Sequence, residues 1–117
     1  MTSAIDVNQL ILDIKNAATA IIGKDVTMVE GFSQTQATAM ATQAAWIASG
    51  TLSGQLTPDL RDYFLRNLED LAKNFANTLK GLLVITIEKV WNAVVGVLWD
   101  AVGKAIGIAL PSPASAS

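Results

Sequence analysis

"KGLLVITIEKVWNAVVGVLWDAVGKAIGIAL", residues 80–110, decides the fold of this chain. Branched aliphatic residues dominate it. Gly96, Gly103 and Gly107 interrupt it beyond Gly81, and Trp91 and Trp99 stand eight residues apart. Such a segment can cross a membrane, fill a soluble core or meet partner chains. A bilayer core takes ~20 mostly apolar residues in a helix, so the segment is long enough. Yet Glu88, Lys89, Asn92, Asp100 and Lys104 break up its windows, and an ionised group at mid-bilayer costs ~2.5–3.5 kcal/mol. A lone spanning helix is disfavoured.

The polar groups follow a pattern. Glu88, Asn92, Gly96, Asp100 and Lys104 recur at four-residue steps, which winds them into one strip along a helix. Val90, Val94, Val95, Val97, Leu98, Val102 and Ile106 fill most of the remaining circumference, a wider arc than the single stripe of a surface helix. Residues 82–87 are β-branched enough for a short strand. Helix is the favoured reading, because no turn signal follows and the downstream spacing is helical. Gly96, Gly103 and Gly107 would let another helix approach closely, and Trp91 and Trp99 suit core or interface packing.

Upstream, Val7, Leu10, Ile11, Ile14, Ala18, Ile21 and Ile22 make one apolar stripe, predicting a first helix over about 4–22 that stops at Gly23. Ser33, with Gln36 three residues on, predicts a capped second helix over about 33–49. No charge occurs from Gly31 to Pro58. Alanines 37, 41, 44, 45 and 48 invite close packing, and Trp46 is expected to fill the hollow they leave. Thr57 as cap, Pro58 at the first helical position and Asp59 in the first turn open a third helix over about 58–80. Asp62–Arg66, Arg66–Asp70 and Glu69–Lys73 are spaced for ion pairs on its wet face. The fourth helix is expected over about 82–107, continuous with the third or bent at Gly81. The Pro/Ser/Ala tail, residues 111–117, stops it.

The chain has 117 residues, one domain's worth, and a chain this size buries only ~65% of its unfolded surface. Hydrophobic residues are 51% and charged residues 15% of it, against ~25% charged in an average soluble domain. This apolar excess points toward association. Net charge is −2, and there is no basic stripe for nucleic acid. Cysteine and histidine are absent, so disulfides, thiolate or imidazole metal ligands and histidine-based catalysis are excluded. No phosphate loop or nucleophile elbow is present. No cofactor or metal is expected, and no catalytic residue stands out. The first residues lack the basic and apolar regions of a secretory signal, so synthesis in the cytoplasm is expected.

The expectation is therefore an all-α protein, a small helical bundle or hairpin with a long, very apolar C-terminal helix. Its expected role is a non-enzymatic structural or assembly subunit. It resembles, in general composition only, small helical proteins of virus particles and secretion machines. Self-association would run through Val90, Trp91, Val94, Val95, Gly96, Leu98, Trp99, Val102, Gly103, Ile106 and Gly107, with Glu88, Asn92, Asp100 and Lys104 setting register. The alternative is a membrane-active protein, an oligomeric pore or interfacial anchor that inserts residues 82–110. A third reading is an adaptor whose apolar arc binds one heterologous helix.

Overall fold

A computed structural model describes residues 4–108. Four α-helices follow one another: α1 (Val7–Ile22), α2 (Gln34–Leu52), α3 (Pro58–Thr78) and α4 (Val84–Ile106), with a single 3-10 turn, Val26–Met28, between α1 and α2. No strand occurs among the described residues, so residues 84–87 begin a helix. The expected tail, 111–117, lies outside the described residues.

Each helix starts for a local reason. Asp6, Ser33 and Thr57 accept hydrogen bonds from the backbone N–H of Gln9, Gln36 and Leu60, satisfying donors that a helix start leaves open. The box expected at Ser33 is half formed. Gln36 does not return to the cap; its side-chain Oε1 lies 3.4 Å from the Thr78 hydroxyl, whose single proton goes to the Phe75 carbonyl at 2.7 Å. α4 begins after Leu83 without a side-chain cap. α1 and α4 end on Gly23 and Gly107 in the left-handed conformation.

The helices run up, down, up and down. α1 packs on α2 and α4, α3 packs on α2 and α4, and α2 meets α4 across the diagonal. The alanines explain that diagonal: Ala37, Ala41, Ala44, Ala45 and Ala48 are all buried. Their small side chains bring α4 close. Phe75, Ile14, Met40, Ile47, Leu68, Leu98 and Val90, Val94, Val95 and Val102 supply the bulk of the core, and no polar or charged residue among those described is buried. The Cα extents are 43 × 32 × 17 Å, a flattened plate.

The long, very apolar C-terminal helix is not what the fold contains. α3 does not run on into α4. The chain leaves the helix at Leu79 and turns at Gly81, where φ is +78°, so α4 has 23 residues against 21 in α3. No helix among the described residues is long and apolar enough to cross a membrane, because Glu88, Lys89, Asp100 and Lys104 recur along α4.

Two glycines hold the connections. Gly31, at φ +91°, lies so close to the Thr78 carbonyl that a Cβ there would collide with it. Beside it the Lys80 N–H donates to the Glu30 carbonyl at 2.8 Å. Gly50 sits buried inside α2, and a Cβ there would meet Leu56 Cγ at 2.8 Å, so its missing side chain admits the returning loop.

Candidate interaction surfaces

The residues assigned by sequence to self-association mostly face inward. Val90, Val94, Val95, Leu98, Trp99, Val102 and Gly103 are buried within the chain, against the other three helices. Trp91, Gly96 and Ile106 are half-buried, and Gly107 is exposed. The wide apolar arc thus has partners at home, because α1, α2 and α3 surround it on three sides. Glu88, Asp100 and Lys104 lie on the outer face, with Asn92 half-buried and its Oδ1 unpartnered. Lys104 Nζ reaches Asp100 Oδ2 at 3.1 Å within α4 itself.

On α3 the spaced ion pairs do not form. The acid–base contacts among the described residues are Arg61–Asp62 at 3.5 Å and the Asp100–Lys104 pair. Lys73 lies over the Trp91 ring instead, 5.8 Å from its centroid. Holding two long exposed side chains together gains little over leaving them in water, whereas a cation over an indole face is attracted by the ring quadrupole.

Large apolar side chains outside the core include Leu12, Leu52 and Leu60, scattered singly, and two groups. The first is the start of α4, where Leu83, Val84 and Ile85 are 73%, 73% and 58% exposed. The loop that precedes them is joined through the Lys80 N–H to the Glu30 carbonyl, two residues beyond the Val26–Met28 turn. There the exposed Met28 follows Asp25, whose carboxylate accepts from the Thr27 hydroxyl at 2.7 Å and the Thr27 N–H at 3.0 Å. These bonds hold the Asp25 carboxyl below the ordinary carboxylate range.

The second is the outer face of α2. Thr35, Thr38, Ala39 and Thr42 floor a groove of about 820 Å³, flanked by Gln34 and Gln43 and walled by Trp46 and Phe64. Trp46 does not fill the alanine hollow. It is 49% exposed and stands edge-on to Phe64, which in turn meets Tyr63. The inner face of α2 is chosen by Met40, Ala44 and Ile47 at three- and four-residue steps, and Trp46 falls off that stripe. That spacing was the signal that could have placed Trp46 outside.

No group of three or more acidic, histidine or cysteine side chains is placed to hold a metal among the described residues. No protein-family model, curated protein or solved structure matches this chain.

Proposed function

We propose that this chain is a non-enzymatic structural or assembly subunit that associates with copies of itself through α4. The observation that supports this reading is the run Leu83, Val84 and Ile85, three large apolar side chains left in water at the head of a helix whose other apolar residues are buried or half-buried. Covering one such side chain is worth roughly 1.5–3 kcal/mol, enough for three together to offset much of the cost of association. Light scattering on a sizing column, in detergent-free buffer, tests it. A discrete multiple of 12.3 kDa that Leu83→Asp with Ile85→Asp reduces supports the reading. A monomer at every concentration refutes it.

The same run favours one second reading, an interfacial membrane contact. Lys80 and Lys89 flank the run in sequence and are exposed, and lysines beside an apolar tip suit an anionic headgroup layer. In this reading only the tip enters the interface and the bundle stays folded. Co-sedimentation of the wild-type chain with anionic vesicles, lost in the Leu83→Asp, Ile85→Asp variant, would favour lipid over a second copy.

A further inference from the structure

We infer that the cleft between the start of α1 and the end of α4 is the seat of Leu110, so that the segment after Ile108 folds back as a strap joining the first helix to the last. The cleft has a volume of about 300 Å³, and Ile5, Leu10, Ala101 and Ala105 give it an apolar floor. The way α4 ends aims the chain at it. Gly107 takes the left-handed conformation at φ +75° and its N–H donates to the Gly103 carbonyl, which the Ile108 N–H also reaches at 3.0 Å. Such a cap turns the chain back over the last helical turn. That same turn brings Lys104 and Ala105 to the cleft. The chain therefore leaves α4 beside the cleft and does not run straight off the end of the bundle.

Reach and composition single out the occupant. Leu110 lies two residues beyond Ile108, a span of up to ~7 Å in extended chain. It is the one large apolar side chain in residues 109–117, which otherwise hold only Ala, Pro and Ser. Pro111 follows it and disfavours the helical region for Leu110, so the segment crosses the cleft extended and does not resume α4. The rim of the cleft carries Asp6, Asp13 and Lys104, and residues 109–117 bring no charged side chain to it. Leucine covers the floor while the rim stays in water. A leucine on a foreign chain could fit the same floor, but a short tether presents Leu110 at an effective concentration of roughly millimolar. The strap uses neither the Leu83–Ile85 run nor a second copy, so it is independent of the reading above.

Methyl NMR on the full chain tests this without any substitution. Nuclear Overhauser contacts from the Leu110 methyls to those of Leu10, Ala101 or Ala105 are expected. Leu110→Ser should abolish them and speed amide exchange in the first turns of α1 about tenfold, while Ala114→Ser, farther along the same segment, changes neither. The chain lacks cysteine, so a pair of introduced thiols gives a second readout. Gln9→Cys with Leu110→Cys should join within one chain through a short thiol-specific linker, and Asn74→Cys with Leu110→Cys, which starts from the exposed face of α3, should not. The strap is overturned if the Leu110 methyls show no such contacts and Leu110→Ser leaves the resonances of Leu10, Ala101 and Ala105 where they were. Linkage of residues 9 and 110 only between chains, at twice 12.3 kDa, also overturns it, because the cleft then takes the segment of another copy.

Discussion

The Trp46 ring of α2 stands almost perpendicular to the Phe64 ring of α3, with centroids 4.7 Å apart and planes at 88°. The positive edge of one ring meets the negative face of the other, a geometry worth about 0.5–1.5 kcal/mol beyond the area it buries. This contact braces the open side of the α2–α3 hairpin and builds the wall of the α2 groove. Removing Trp46, removing Phe64 and removing both should therefore show a coupling of about 0.5–1.5 kcal/mol in urea unfolding. A coupling near zero would mean that the rings only share a boundary with water.

The core of α4 should tolerate little. Leu98 is fully buried among α1, α2 and α3, so Leu98→Ala should cost about 2–5 kcal/mol, a large part of the ~5–15 kcal/mol that holds a domain this size. Val94→Asp should prevent folding rather than dissociate an assembly, because the carboxylate would enter a core that offers no polar partner. Thermal melts followed by circular dichroism distinguish the two. A cooperative transition in the aspartate variant would show that Val94 faces a softer environment than the packing indicates.

Two glycines should respond in opposite directions. A Cβ at Gly96 would meet open space inside a regular helix, so Gly96→Ala should stabilise by about 0.5–1 kcal/mol. Gly31→Ala faces both a positive φ and the Thr78 carbonyl, and should cost about 1–3 kcal/mol. Denaturant midpoints measured side by side test the contrast directly.

Acid should loosen the turn between α1 and α2. The Thr27 hydroxyl and N–H favour the ionised Asp25 carboxyl, so its folded pKa lies below its unfolded one. The unfolded state then binds the proton more readily. The stabilisation is present above the unfolded pKa and is lost as pH falls through the folded value. Thr27→Val deletes the hydroxyl donor and should move the Asp25 titration, followed by NMR, upward toward the ordinary carboxylate range. No movement would assign the shift to the backbone N–H alone.

Much of the architecture was legible because it is written locally. Thr57-Pro58-Asp59 announces the start of α3 through cap, ring and charge, and the stripe of α1 points to a core whatever lies opposite. What could not be read was the identity of the partner. A wide apolar arc on α4 looks the same whether it meets other chains or three helices of its own, and only the tertiary arrangement closes it. The spacing also left open whether the helix runs continuously through Gly81 or bends there; its positive φ, which separates α3 from α4, is visible only in the backbone. Trp46 was misplaced for a related reason. The alanines around it signalled a hollow, and the hollow was taken by α4 from across the bundle. Exposure at Leu83–Ile85 depends on where the packed bundle ends, which periodicity does not report.

The pairing of the first helix with the last has a consequence for how the chain folds. Asp6, Leu10 and Asp13 of the α1 end lie beside Ala101, Lys104 and Ala105 of α4, joining segments that are nearly a whole chain length apart. During synthesis the α2–α3 hairpin can form from neighbouring sequence, but the alanine seam of α2 and the inner stripe of α1 stay uncovered until α4 has left the ribosome. Closure by the most distant contact carries the largest loop entropy and comes late. The nascent chain thus passes through an interval in which its stickiest surfaces are open, and the speed at which α4 is delivered after α3 governs how long that interval lasts.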